Sequence, residues 1–127
     1  MALAYSCILI AAILPLIFAA YAKFTSKGYD NARPREFLDK LEGKSKRAHY
    51  AQLNSFEAFP VFAAAVIIAH LSNVPQSRIT FLAVFFILMR VLYGICYIAD
   101  KSSLRSTVWF AGLFCVVALF ISAILRS

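Results

Sequence analysis

Residues 79–99 read ITFLAVFFILMRVLYGICYIA, an apolar run interrupted by a single charge, Arg90. A helix needs about 20 apolar residues to cross the hydrocarbon core of a bilayer, and this run is long enough. A charge near the middle of such a span is costly unless it is paired, and it commonly marks a functional site. The run therefore predicts a membrane helix with a polar site at its centre.

Three further stretches have the same apolar character. Residues 2–22 and 107–125 contain no Asp, Glu, Lys or Arg, and residues 48–72 contain one strongly charged residue, Glu57. Hydrophobic residues make up 62% of the chain, well above the roughly 45–50% of soluble domains. We predict an all-α integral membrane protein, a single four-transmembrane-helix bundle over residues 1–127. Its helices are expected at about 3–22, 47–71, 78–99 and 107–125.

The first apolar stretch has one alternative interpretation, a cleaved signal peptide. Ala20-Tyr21-Ala22 loosely resembles a cleavage site. However, the stretch lacks a basic N-terminal region, and its apolar run is longer than that of a signal peptide. We therefore expect this segment to be retained as a membrane helix.

The net charge of +7 is concentrated next to the membrane. Eight of the 13 Lys and Arg residues lie between Lys23 and Arg47, together with four acidic residues. A mixed-charge loop beside a span is typical of a connector that faces anionic lipid heads, so no nucleic-acid partner is expected. Because Lys and Arg favour the cytoplasmic side, we expect residues 23–47 and 100–106 there, at the inner membrane if the source is bacterial. Residues 36–41 form a short amphipathic segment that is expected on the membrane surface.

Polar residues form stripes on the two central spans. On a helical wheel, four polar side chains of the second span fall within about 80° of one another. They are Arg47, Tyr50, Asn54 and Glu57. The third span carries a similar stripe at spacing i, i+3 and i+7, made by Arg90, Tyr93 and Tyr97. Both stripes extend from mid-span to the cytoplasmic end.

Glu57 and Arg90 are predicted to lie at the same depth. Glu57 is ten residues from Arg47, and Arg90 is ten residues from Asp100, which corresponds to about 15 Å in each case. The two spans are antiparallel neighbours, so we predict that the carboxylate and the guanidinium pair. Such a pair could belong to a working site, or it could be a structural ion pair that sets the register of the helices.

Arg105 and Ser106 are predicted to start the fourth helix at the cytoplasmic mouth of this polar site. A cation or a hydroxyl near a helix N-terminus can stabilise an anion. The structural alternative is an interfacial arginine next to a serine that caps the helix.

The histidines and cysteines show no pattern of a metal or disulfide site. His49 and His70 fall off the polar stripe and are expected near the two membrane interfaces. Cys7, Cys96 and Cys115 lie within apolar segments without metal-ligand or paired spacing, so they are interpreted as small buried side chains. No metal site is predicted.

Two motifs resemble a known membrane family. Residues 47–60, RAHYAQLNSFEAFP, resemble the helix-two signature of the MAPEG family, the membrane-associated proteins in eicosanoid and glutathione metabolism. The spacing Arg90-x-x-Tyr93-x-x-x-Tyr97 resembles the helix-three motif of that family. Arg105 stands near the position of its catalytic arginine.

The resemblance implies a homotrimer with active sites between adjacent subunits, near the cytoplasmic side, and glutathione as cosubstrate. By position, it implies glutathione-binding roles for Arg47, Tyr50, Asn54, Glu57, Arg90, Tyr93 and Tyr97. It also implies a catalytic role for Arg105 or Ser106 in stabilising the thiolate. The sequence departs from the family pattern at Tyr50, where glutathione-using members often have Arg, and at Arg105, which is offset by one residue.

The function predicted from these residues is that of a glutathione-dependent membrane transferase or peroxidase acting on lipophilic electrophiles. One alternative is a non-catalytic member that retains the scaffold. Another is a small four-helix exporter driven by protons, which needs a membrane carboxylate that is free to titrate. A Glu57–Arg90 pair would keep Glu57 ionised and argues against the exporter.

Overall fold

The computed structural model describes residues 1–26, 28 and 32–127. In chain order, its helices are α1 (Ala2–Phe24), α2 (Pro34–Asp39), α3 (Gly43–Leu71), α4 (Gln76–Ile98) and α5 (Ser102–Ile124). Within the described residues, four helices are long and apolar enough to cross a membrane, namely α1, α3, α4 and α5. The predicted all-α bundle of four membrane helices is confirmed.

Two of the spans begin earlier than their apolar runs. α3 starts at Gly43 rather than at residue 47, and α5 starts at Ser102 rather than at residue 107. The added residues are mainly lysine, arginine and serine, which a helix tolerates outside the bilayer. Gly43 has a φ of 62°, a left-handed value that glycine adopts without a Cβ clash, and it makes the turn into α3. Apolarity therefore marks the embedded part of a helix and not its first turn.

The centre of the bundle is the antiparallel pair α3 and α4. Each of these helices packs against the other and against both α1 and α5. In the half of the bundle that contains the α3–α4 turn, the rings of Phe62 and Phe86 stack with centroids 4.0 Å apart. Val66, Ile79 and Leu119 are completely buried around them. This half of the interface is an apolar core.

A close approach of α1 to α4 depends on Gly94. A Cβ atom at Gly94 would overlap the buried ring of Phe18 on α1. Small residues commonly allow such contacts between membrane helices. Gly94 therefore fixes α4 against α1, and its neighbour Tyr93 then faces the interior of the bundle, where it is buried.

The opposite half ends in what we call the basic end, formed by α2, the start of α3 and the α4–α5 turn. Here Leu38 of α2 and Leu41 are buried with Ala22 of α1 and Ala48 of α3. The apolar side of α2 therefore packs against the membrane helices of the bundle. The helix spans Pro34–Asp39, two residues earlier than the amphipathic segment predicted at 36–41.

The two histidines have different surroundings. His70 is exposed and makes an edge contact with Tyr5, as expected for an interfacial residue. His49 differs from it, because its side chain is buried between α2 and α3 and does not extend outward as a snorkelling residue would. Its Nε2 lies 3.6 Å from Asp39 Oδ1, and its Nδ1 lies 3.3 Å from Gln52 Oε1. The hydropathy of α3 does not reveal that α2 folds back over this residue.

Candidate functional site

A groove formed by α3, α4 and α5 runs from mid-span to the basic end. It consists of three adjoining concavities that share lining residues. The deep slot, about 190 Å³, extends from Asn54, Glu57 and Arg90 toward the apolar half. The tyrosine recess, about 270 Å³, lies along Tyr50, Tyr93 and Tyr97. The arginine recess, about 220 Å³, lies between the two tyrosines of α4 and Arg105.

The groove collects nearly all of the predicted site residues. Those that line it are Tyr50, Asn54, Glu57, Arg90, Tyr93, Tyr97, Arg105 and Ser106. They come from three helices and lie far apart in the sequence. The helical spacing of the polar residues predicted this convergence for α3 and α4.

Arg90 lies in the wall of the groove and is only 4% exposed. Its Nη2 donates to Asn54 Oδ1 at 2.6 Å and makes a longer bond to Ser55 Oγ at 3.4 Å. Its guanidinium carbon lies 4.4 Å from the centroid of the Tyr93 ring, a distance typical of a cation–π contact. Arg90 is therefore held by neutral partners on α3 and by an aromatic ring on its own helix.

The predicted direct pair between Glu57 and Arg90 is wrong. In the described part of the chain, no ion pair within 4.0 Å joins Glu57 to any basic group. Both residues line the deep slot, and Glu57 still interacts electrostatically with Arg90. Asn54 lies one turn closer to the basic end and reaches the guanidinium first. Neutral groups are also less costly to bury than a carboxylate, which here remains exposed at the groove.

Three tyrosines continue the groove from Arg90 to the basic end. The rings of Tyr93 and Tyr97 meet edge to face with centroids 5.6 Å apart, and Tyr97 lies 6.2 Å from Tyr50. The guanidinium of Arg105 lies 4.3 Å from the centroid of Tyr97. A second cation is therefore fixed at the mouth of the groove, over an aromatic wall.

Ser106 does not cap the fourth membrane helix. The N-cap of α5 is Lys101, so Ser106 lies inside the helix, where it is exposed and lines the arginine recess. The expected cap was placed too late because the helix begins before the apolar run. Arg105 remains in the first turn of α5.

Arg47 is the predicted site residue that lies apart from the three concavities. Its Nε donates to the carbonyl oxygen of Ile98 at 3.1 Å. Ile98 is the last residue of α4, and its carbonyl has no partner within that helix. Arg47 thus ties the start of α3 to the end of α4, next to Tyr97.

The sequence analysis missed several residues at this site, among them Ser55, Trp109 and Gly112. Ser55 follows Asn54 directly and shares its bond to Arg90. Trp109 lies one turn after Arg105 and lines both the deep slot and the arginine recess, so spacing from Arg105 could have found it. Gly112 lines the deep slot and carries no signal in the sequence.

Four apolar helices around a groove of basic, acidic and aromatic side chains define a multi-pass membrane protein with a polar site inside its bundle. The chain belongs to the MAPEG family, whose family model matches residues 2–125. This family includes glutathione-dependent transferases and peroxidases as well as non-catalytic members. Among curated proteins, no match to the chain is found.

Proposed function

We propose that this protein is a glutathione-dependent membrane transferase or peroxidase that acts on lipophilic electrophiles. One observation carries the proposal: side chains of three helices line three neighbouring concavities that share lining residues, with a cation at mid-span and another near the basic end. Family membership supports glutathione as the cosubstrate.

The groups of the groove match the charges of glutathione. The tripeptide has two carboxylates, an amine and a thiol. Arg90 and Asn54 offer donors for a carboxylate, and charge-assisted bonds from a guanidinium are among the strongest available. Glu57, which has no ion pair among the described residues, offers an acceptor for the amine. Tyr50, Tyr93 and Tyr97 would line the peptide between these ends.

Arg105 is proposed to stabilise the thiolate, with Ser106 as a second donor beside it. A thiol is nucleophilic as its thiolate, and a nearby guanidinium favours that form. In a transfer, the thiolate sulfur forms a bond to an electrophilic carbon, and the leaving group departs with its electron pair. In a peroxidase reaction, two glutathione thiols reduce one hydroperoxide to an alcohol and water and become a disulfide.

The orientation of the protein in the membrane is proposed from the distribution of its basic residues. We propose that the basic end faces the cytoplasm, where glutathione is abundant, because Lys and Arg favour that side. We further propose a homotrimer, as is typical of the family. Glu57 is exposed in the single protomer, so a neighbouring subunit could cover the groove and bury its ligand.

A non-catalytic member of the family is the second candidate. Two observations favour it: Tyr50 stands where glutathione-using members often have Arg, and the nearby Arg47 bonds to Ile98 instead. The exporter is weakly supported. The argument against it from a direct Glu57–Arg90 pair does not hold, but Glu57 still lines the same slot as the buried guanidinium of Arg90.

Glutathione binding to the purified protein in detergent tests the proposal. We expect saturable binding by calorimetry and an ultraviolet thiolate signal for the wild type. Arg90→Ala should lose binding, whereas Arg105→Ala should lose mainly the thiolate signal. Arg78→Ala, an exposed arginine near the α3–α4 turn, is the matched control and should leave both unchanged. Absence of both signals in a folded wild type would exclude the enzyme and leave the non-catalytic member.

A further inference from the structure

The deep slot has a polar end and an apolar end. Asn54, Glu57 and Arg90 form the polar end, and the first two also line the tyrosine recess. Along each helix, the slot residues farther from the basic end are apolar. They are Ala58 and Val61 on α3, Phe86 on α4, and Gly112, Leu113 and Val116 on α5. From Asn54 to Val61 the helical rise gives the slot a length of about 10 Å.

The volume of the slot limits the part of a ligand that can lie inside it. At about 190 Å³ it is smaller than the pockets that enclose whole drug-sized ligands, which begin at about 300 Å³. Apolar cavities of about 150 Å³ bind a single benzene molecule. The slot therefore has room for one ring. The aromatic side chains of Phe86 and Trp109 line it and can pack against such a ring at favourable angles.

Gly112 lies in the wall of this space. A Cβ atom at this position would lie 3.8 Å from Cβ of Met89 and 3.8 Å from the ring of Phe86, which is ordinary contact. Alanine would therefore fit without displacement. A longer side chain at this buried position would extend between α4 and α5 beside Phe86, which lines the slot.

We propose that the deep slot is the subsite for a single aromatic or similarly sized apolar ring of the electrophilic substrate, and that Gly112 sets its size limit. The assignment to an electrophile rests on the proposed function. The ring would enter from the membrane side of the groove. The reacting atom would then lie toward the polar end. The slot would select substrates by the size of this ring.

The single tryptophan of the chain, Trp109, lines the slot and allows ring binding there to be measured without glutathione. Nitroaromatic compounds quench indole fluorescence on close contact. We expect nitrobenzene to quench Trp109 with a saturable component beyond linear partition into the micelle. A nitrobenzene with tert-butyl groups at positions 3 and 5 is too bulky for the slot and should give linear quenching alone.

Gly112→Leu should weaken the saturable component at least about tenfold, because the ring loses its apolar site. Gly112→Ala, which the structure accommodates, should have a smaller effect and keeps the test usable if the leucine variant does not fold. Ala111→Leu enlarges the neighbouring residue, which does not line the slot, and should leave the affinity within about twofold of wild type. Size-exclusion chromatography and circular dichroism verify the fold of each variant.

The outcomes separate this inference from the proposed function. Purely linear quenching by nitrobenzene, or equal saturable quenching by the bulky analogue, overturns the ring subsite even if glutathione binds. An unchanged affinity in a folded Gly112→Leu variant overturns the role of Gly112. Saturable, size-selective quenching without any glutathione affinity supports the ring subsite and overturns the proposed function.

Discussion

The interface between α3 and α4 is built in two different ways along its length. Toward the α3–α4 turn, Phe62 and Phe86 stack at 4.0 Å within a fully apolar core. Toward the basic end, Arg90 bonds to Asn54 and Ser55 beside an open groove. The same helix pair thus uses ring packing for cohesion in one half and polar contacts around an open space in the other. We expect stability to depend mainly on the first half and glutathione binding on the second.

Phe86→Ala gives the largest expected effect on stability. It removes a stacked ring from the core, and we expect the free energy of unfolding in detergent to fall by about 2 kcal/mol or more. In the cores of water-soluble proteins, a Phe→Ala substitution costs about 3–5 kcal/mol. The fall should be smaller here, because detergent tails also solvate an exposed ring. The matched control is Phe81→Ala on the same helix, which is exposed and should change stability little. Equal losses in both variants would contradict an apolar core between α3 and α4.

Arg90→Ala tests the polar half of the comparison. It leaves Asn54 Oδ1 without its donor and opens space beside Tyr93, so we expect a loss of about 1–3 kcal/mol in the free energy of unfolding. Glu57→Gln is the contrasting variant at the same level of the bundle. Because Glu57 has no ion pair among the described residues, this change should alter stability by no more than about 0.5 kcal/mol. Denaturant titrations of both variants measure the difference. A large loss of stability in Glu57→Gln would support the direct Glu57–Arg90 pair predicted from the sequence.

Most of the fold was predictable because apolar runs of membrane length leave few alternatives. The helical spacing of Arg90, Tyr93 and Tyr97 also placed them correctly on one face of α4. The partner of Arg90 was not predictable, because a helical wheel shows that Asn54 and Glu57 both face α4 but not which side chain reaches the guanidinium. Gly112 was not predictable either, since an open volume depends on how three helices pack.

Arg47 shows how a residue on the correct face can have a different role. The wheel placed it on the polar stripe, but its depth matches the end of α4, where Ile98 has a carbonyl to satisfy. We expect Arg47→Ala to lower the free energy of unfolding by about 1 kcal/mol through the lost hydrogen bond.

Under the proposed function, the affinity of Arg47→Ala for glutathione should stay within about threefold of wild type, because Arg47 lies outside the groove. Lys44→Ala, at an exposed position one turn earlier in α3, controls for the loss of a positive charge at the basic end. Calorimetric titration and denaturant unfolding on the same preparations give both quantities. If affinity falls at least about tenfold while stability is unchanged, the guanidinium contacts the ligand and not the end of α4. The glutathione affinity of Arg47→Ala thus decides whether the groove ends at Tyr97 or extends one turn farther toward the basic end.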